Sequence, residues 1–160
     1  MATNLSEYIS FLEKYRDELS EVLKNEREKR QSLLNSDMDK LESVLALQQA
    51  ETMKLRSFEN KRIEFQAKLG MKDATAGEIV SSITDIELRN RLDGLFSEIL
   101  GLAEEVREQN RLSSEIASTN LKILNKIFRS NEISEQKNTY GPDNGHRAKY
   151  SAGATFKESV

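Results

Sequence analysis

The sequence predicts an all-α fold, an elongated antiparallel helical bundle or hairpin with one very long C-terminal helix and a disordered tail. Apolar residues recur at steps of three and four along most of the chain, as on one helix face, and they never alternate as in a strand. Charged residues make up 32% and apolar residues 37% of the chain. Slender bundles have such a composition, because they cover their surface with charge and keep apolar residues in stripes.

The first predicted helix covers residues 5–34. Asn4 is expected to cap its start, with Glu7 three residues later as the reciprocal partner. Residues 25–32 are polar, so this basic part of the helix is expected to face solvent. The apolar face consists of Leu5, Ile9, Leu12, Tyr15, Leu19, Val22, Leu23, Leu33 and Leu34.

A break at Asn35-Ser36 separates the first helix from the second. Ser36 is expected to cap the second helix, with Asp37 and Asp39 in the first turn, where the helix dipole favours acids. Gly70 is expected to end this helix in the C′ position. Because the turn is short, the two helices are predicted to be antiparallel neighbours. The second apolar stripe consists of Met38, Leu41, Leu45, Met53, Phe58, Phe65 and Leu69.

Two capping-box patterns mark the starts of the next two helices. Thr75 and Glu78 form the first pattern, which predicts a short helix that includes residues 79–83. Thr84 and Glu87 form the second pattern, at the start of the long last helix. This helix is predicted to end near residue 128.

The last predicted helix has an apolar face with one polar interruption. Residues 110–120 are small and polar, and they are read either as a hinge or as a place of close helix approach. The apolar face consists of Leu88, Leu92, Leu95, Ile99, Leu102 and Val106 before this stretch, and of Leu121, Ile123, Leu124, Ile127 and Phe128 after it. Two parts are therefore expected: a helical bundle domain at residues 1–130 and a flexible C-terminal tail at residues 131–160. The tail contains the only proline and cannot bury enough apolar surface to offset its ordering entropy.

The residues that catalysis needs do not come together in this sequence. The only histidine, His146, lies in the predicted tail, and the chain has no cysteine. The neighbouring carboxylates Asp37 and Asp39, or Glu104 and Glu105, do not face each other on a helix. No glycine-rich phosphate-binding motif is present. We therefore expect no enzyme activity, no catalytic residue, no metal and no cofactor.

Charge and hydropathy exclude two further classes of partner. The formal net charge is −3 with both signs interleaved, which is unlike the basic field that nucleic acid requires. No window approaches the roughly 18 apolar residues of a membrane span, and no signal peptide is apparent. The expected localisation is cytoplasmic, without nucleic acid and without membrane insertion.

Helix lengths predict an uncovered apolar surface. At about 1.5 Å per residue, the first two helices span about 45 and 50 Å and the last helix about 66 Å. The last helix should therefore outreach the others by roughly three turns, and residues 119–128 would face water. Exposed contiguous apolar surface usually marks an interaction site, here for an amphipathic helix. The predicted partner-binding residues are Leu112, Ile116, Leu121, Ile123, Leu124, Ile127 and Phe128.

Other interpretations of these residues remain open. They form ordinary core if the short helix folds over them, or if the first helix bends towards them. They form a subunit interface if the protein is a homodimer. A structural coiled coil, or a regulatory adaptor that sequesters another helical protein, would present the same pattern.

Several short elements resemble the FlgN-type flagellar export chaperones. The resemblance covers nearly the whole chain. It is carried by the opening amphipathic helix, the pattern Asp37-x-x-x-Leu41-x-x-x-Leu45, Arg62 ahead of Lys68-Leu69-Gly70, the segment Glu108-Gln109-Asn110-Arg111-Leu112, and the tail element Tyr140-Gly141-Pro142-Asp143-Asn144-Gly145.

This resemblance implies a function that the helix pattern alone does not specify. It implies a cytoplasmic chaperone of the hook-associated proteins FlgK and FlgL at the hook–filament junction. Such a chaperone engages the C-terminal helical region of its cargo and keeps it unpolymerised before type III export. It also implies that Tyr140 is a candidate contact for an export gate component of the flagellar type III apparatus.

Overall fold

The computed structural model describes residues 2–138, and the side chains of residues 3–133. Within these residues the chain is helical apart from turns and linkers, and the predicted all-α fold with a long last helix is confirmed. Tyr140, His146 and the rest of residues 139–160 lie outside the described residues. The helices are α1 (Ala2–Leu34), α2 (Met38–Lys68), α3 (Ala76–Ser82) and α4 (Ile86–Asn138).

Helix α1 begins earlier than the apolar pattern indicated. It starts at Ala2, so Asn4 lies inside its first turn and the prediction of Asn4 as the N-cap is wrong. Asn4 is exposed, and the first apolar side chain of the stripe, Leu5, is only half-buried. Packing therefore begins after the helix does, and a pattern of apolar residues alone places the helix start too late.

The turn between α1 and α2 is built differently from the prediction. Ser36 has a φ of 54°, in the left-handed region, and it is not the residue that caps α2. Asp37 is the N-cap: its carboxylate Oδ1 accepts a hydrogen bond from the backbone N–H of Lys40 at 3.1 Å. The backbone N–H of Asp37 also donates to the carbonyl of Ser32 at 3.0 Å, which closes the end of α1. The prediction of Ser36 as the cap is therefore wrong by one residue.

The end of α2 is as predicted. Gly70 has a φ of 70° in the C′ position, where a side chain would be strained. The N–H of Gly70 donates to the carbonyl of Ala67 at 3.0 Å, and the N–H of Met71 donates to the carbonyl of Gln66 at 2.8 Å. The buried side chain of Gln66 donates to the carbonyl of Ala74 at 3.2 Å, and Arg62 donates to its amide oxygen. Hydrogen bonds from residues of α2 thus hold the linker that follows this helix in place.

Of the two predicted capping boxes, one is confirmed. Thr75 and Glu78 exchange both hydrogen bonds of the box at the start of α3. The second prediction is wrong, because Asp85 rather than Thr84 caps α4. Its carboxylate Oδ1 accepts from the N–H of Glu87 at 2.9 Å and from the N–H of Leu88 at 3.3 Å. A carboxylate at this position also interacts favourably with the helix dipole, which a threonine hydroxyl does less well.

Side-chain pairs show the directions of the three long helices. Glu18 pairs with Lys54 at 2.7 Å, and α1 and α2 run antiparallel, as predicted. Arg16 pairs with Glu98 at 3.2 Å, and Arg27 with Glu105 at 3.1 Å, so α4 runs parallel to α1 in this part of the chain. The buried core lies near the start of α1 and contains Tyr8, Ile9, Phe11, Leu12, Ile79, Ile83, Leu92 and Leu95.

The last helix continues beyond its predicted end. The pattern placed the end near residue 128, whereas α4 ends at Asn138. Along α4 the chain passes from a first unit, Met1–Lys122, into a second unit that begins at Ile123. The proposed division into a bundle at residues 1–130 and a tail at residues 131–160 stays a prediction.

Candidate partner-binding surface

The face of α4 that packs in the first unit has a regular spacing. It comprises buried or half-buried residues at steps of three and four, beginning with Leu92 and Leu95. The same steps lead along one face of the helix to Leu124 and Phe128 in the second unit. The positions on this face are Leu92, Leu95, Ile99, Leu102, Val106, Asn110, Ser113, Ala117, Leu121, Leu124 and Phe128.

In the second unit, the apolar side chains of α4 are exposed. Four predicted partner-binding residues are about half accessible to solvent or more, at 51% for Ile123, 47% for Leu124, 50% for Ile127 and 62% for Phe128. Ile133 is also exposed, at 58%, and the sequence prediction did not include it because it fell in the predicted tail. We call Ile123, Leu124, Ile127 and Phe128 the apolar stripe of α4.

The remaining predicted partner-binding residues lie in the first unit and are half-buried. Leu112 and Ile116 line an open groove of about 470 Å³ at the end of α1, together with the exposed Leu34. Arg30 and Glu115 supply the charged lining of this groove. Leu121 is half-buried as well. The sequence analysis did not predict Leu34 as a lining residue, because it assigned this side chain to the apolar face of the first helix.

Helix α3 packs within the first unit, where its residue Ile79 and the following Ile83 are buried with Tyr8, Leu92 and Leu95. These contacts place α3 at the start of α4, where it closes the apolar core.

A buried polar network joins α1, α2 and α4 and was missed by the sequence reasoning. Gln48 of α2 donates to a carboxylate oxygen of Glu26. The other oxygen of Glu26 pairs with the ammonium of Lys29 at 2.9 Å, and Lys29 donates to the amide oxygen of Asn110 in α4 at 3.1 Å. Side-chain exposure is 11% for Lys29 and 8% for Glu26. We call these four residues the polar network.

The prediction that residues 25–32 face solvent is therefore wrong for three of them. Glu26, Lys29 and Ser32 are buried, and each has a polar partner on α1, α2 or α4; the second carboxylate oxygen of Glu26 has the ammonium of Lys29 beside it but accepts no hydrogen bond. The sequence contained a signal for this burial. The polar stretch of α1 begins about as many residues after the start of its helix's apolar face as the polar stretch of α4 at residues 110–120 does in its own helix. In the structure Asn110 faces Lys29, and α4 stays helical throughout this stretch.

The network is bordered by a carboxylate with a shifted pKa. Burial raises the pKa of Glu51 from its ordinary value of 4.5; a hydrogen bond from Asn25 opposes this shift, and the nearby Glu18 and Glu26 add to it. The folded state therefore binds a proton more readily at this site than the unfolded state does. The contribution of Glu51 to stability falls as the pH rises from 4.5 through its raised folded pKa, and it is most favourable below that window.

We expect Glu51→Gln to raise the free energy of unfolding near neutral pH and to leave it nearly unchanged at mildly acid pH. The amide carries no charge to desolvate and still accepts a hydrogen bond from Asn25. Urea unfolding of both proteins at the two pH values measures the difference. Glu42→Gln, an exposed carboxylate on the same helix, is the control. A gain that is the same at both pH values would contradict a proton-linked origin.

Among residues 3–133, no group of histidine, cysteine and acidic side chains is arranged to hold a metal ion. No described helix has a stretch long and apolar enough to cross a membrane.

The fold and the stripe define an all-helical bundle protein with an exposed apolar helix face. A sequence model of the FlgN protein family matches residues 1–148, so the chain belongs to the FlgN family. The suspected resemblance is thereby confirmed, and this is a family of flagellar export chaperones. No curated protein and no solved structure matches the chain significantly.

The elements that carry the family resemblance have identifiable structural roles. Asp37 caps α2, and Arg62 holds Gln66, which fixes the linker after Gly70. The segment around residue 110 supplies the contacts of α4 with α1: Asn110 accepts from Lys29, and its neighbour Gln109 accepts from Arg30 at 3.0 Å. These elements build the bundle.

Proposed function

We propose that this protein is a cytoplasmic flagellar type III export chaperone that binds the C-terminal helical region of the hook-associated proteins FlgK and FlgL. It keeps these subunits unpolymerised and delivers them to the export apparatus. The observation that carries the proposal is the exposed apolar stripe of α4 in a member of the FlgN family. Soluble proteins seldom leave such a contiguous apolar surface uncovered without a partner for it.

The energetics of the stripe suit a reversible complex. Its side chains are already about half buried, so a partner would remove only the remaining half of their surface from water. Full burial of one such side chain is worth about 1.5–3 kcal/mol, so the two sides of the contact contribute roughly 6–12 kcal/mol gross. Association costs about 4–15 kcal/mol. The balance supports moderate affinity, which a carrier needs in order to release its cargo.

The same contact explains how a chaperone keeps a subunit from polymerising. A helical segment that packs against other subunits after assembly exposes an apolar face before assembly. When that face lies on the stripe of α4, it is covered and unavailable to another subunit. Tyr140 remains our candidate contact for the export gate component, because the FlgN-type resemblance of the sequence element Tyr140-Gly141-Pro142 implies this role.

We expect Leu124→Glu to weaken binding of the C-terminal segments of FlgK and FlgL by about tenfold to a hundredfold. The substitution removes apolar burial and forces a charge into the contact. Isothermal titration calorimetry with the full chain measures the change. Met53→Glu, at a still more exposed apolar side chain on α2, is the control and should leave the affinity unchanged.

Two outcomes would contradict the proposal. One is that the unsubstituted chain does not bind these segments. The other is that Leu124→Glu and Met53→Glu have the same effect. Light scattering then tests the alternative of a structural coiled-coil protein, which predicts a homodimer independent of concentration that Leu124→Glu dissociates.

A further inference from the structure

A row of ion pairs joins α1 and α4 within the first unit. The members on α4 recur every seven residues, about two helical turns, and therefore lie on one side of the helix. The pairs are Arg91 with Glu13, Glu98 with Arg16, and Glu105 with Arg27. The next position of α4 at this spacing is Leu112, an apolar residue that lines the groove at the end of α1. The row of charges thus leads into an apolar recess.

Arg30 lines the same groove and has no carboxylate partner among the described residues. Its Nη1 donates a hydrogen bond to the amide oxygen of Gln109 at 3.0 Å. A guanidinium has further N–H donors, and it binds a carboxylate best, through two parallel hydrogen bonds. The acid that lines the groove, Glu115, is already paired with Arg111. The charge that the groove presents to a partner is therefore positive.

The rest of the lining suits a protein segment better than a lipid chain. Leu34, Leu112 and Ile116 supply apolar surface, and 54% of Leu34 is exposed. Thr119 and Asn120 line the groove as well, and both are exposed. Their hydroxyl and amide groups find hydrogen-bond partners on a peptide, whereas an acyl chain would cover them without any. All of these residues belong to the first unit, so the groove is complete within it.

We propose that the groove at the end of α1 binds an acidic amphipathic segment of the exported subunit, whose carboxylate pairs with Arg30 and whose apolar side chains contact Leu112 and Ile116. The segment supplies to Arg30 the acid that α4 supplies to Arg27 through Glu105. This inference rests on the function proposed above and specifies the chemistry of its partner. Arg30 is half-buried, where a charge-assisted pair contributes more than at an exposed site.

A fluorescent label inside the groove tests the proposal on the full chain. Because the chain has no cysteine, Thr119→Cys supplies a single thiol for an environment-sensitive dye. Two synthetic helical peptides share one leucine face and differ only in carrying glutamate or glutamine beside it. We expect the glutamate peptide to change the dye emission with a Kd about tenfold lower. The difference should shrink near 1 M salt, where the Debye length is only about 3 Å. A dye at Ser57→Cys, at an exposed residue of α2, should not respond.

Substitutions of Arg30 complete the titration. Arg30→Met should remove the preference between the peptides, whereas Arg30→Lys keeps the charge and should retain part of the preference. Arg56→Met, at an exposed arginine of α2, changes the net charge equally and should leave the preference intact. Equal Kd values for the two peptides, or loss of the preference in both methionine variants, would overturn the inference. So would a response of the Thr119→Cys dye to protein concentration alone or to phosphatidylglycerol vesicles alone, since a second copy of the chain or a lipid surface then fills the groove.

Calorimetry with the C-terminal segments of FlgK and FlgL separates this inference from the proposed function. Arg30→Met should weaken their binding by about tenfold. If Arg30→Met binds the segments as tightly as the parent chain does, the groove is not their site, and the proposed function stands. If the parent chain binds neither segment, the proposed function fails, and the peptide titration alone decides whether the groove selects an acid.

Discussion

Replacing Leu92 with alanine should lower the free energy of unfolding by about 3 kcal/mol, because it opens a cavity in the apolar core. Leu92 has no exposed surface and belongs to the buried cluster that α1, α3 and α4 share. A side chain in such a place loses its transfer free energy and leaves neighbours that close the gap only in part. For a protein of this size, a loss of this magnitude should lower Tm by roughly 10 °C.

Urea unfolding followed by circular dichroism measures this effect. Leu100→Ala is the matched control, since Leu100 lies on the same helix with 62% of its surface exposed. That substitution should change the free energy of unfolding by less than about 0.5 kcal/mol. If the two variants lose equal stability, α4 is not docked through Leu92.

Apolar spacing and turn chemistry were enough to predict the number and order of the helices. The steps of three and four located α1, α2 and α4, and Gly70 and the Thr75 capping box located the end of α2 and the start of α3. The errors in the helix starts are small, whereas the last helix extends ten residues beyond its predicted end near residue 128, to Asn138. Asp37 and Asp85 took the capping roles assigned to Ser36 and Thr84, because neighbouring residues with the same capping chemistry compete and only geometry decides between them.

The aromatic part of the core was predicted incompletely for a different reason. Tyr8 and Phe11 were left out of the apolar face of α1, yet both are buried. The rings of Phe11 and Phe65 lie 5.0 Å apart, and those of Tyr8 and Phe65 lie 5.9 Å apart. A helix packed between two others buries a wider arc than a single stripe, so residues beside the main stripe become core.

Part of the candidate site was proposed from the sequence, where the last helix is predicted to be longer than the first two. The stripe residues were named from the resumption of the apolar spacing, and their side chains are exposed. The groove at the end of α1 required the structure, since it depends on which residues of different helices lie side by side. Whether the stripe binds cargo stays a prediction until the titration with Leu124→Glu is done.

The polar network yields the second large effect, with Lys29→Met as the variant. Removing the ammonium leaves the carboxylate of Glu26 buried without its cation, and the amide oxygen of Asn110 loses its donor. Breaking a buried ion pair from one side costs about 3–5 kcal/mol, because the remaining charge is not solvated. Lys29 keeps 11% of its side chain exposed, so we expect the lower end, about 3 kcal/mol.

The double variant Lys29→Met/Glu26→Gln separates charge from packing. The neutral amide still accepts from Gln48, and no unpaired charge remains, so the double variant should recover most of the loss. Urea unfolding of both single variants and the double variant gives a coupling free energy, expected at about 2 kcal/mol. Lys24→Met, an exposed lysine on the same helix, is the control and should be close to neutral. If Lys29→Met lowers the free energy of unfolding as little as Lys24→Met does, residues 25–32 are solvated. The polar network then does not hold α4 against α1 and α2.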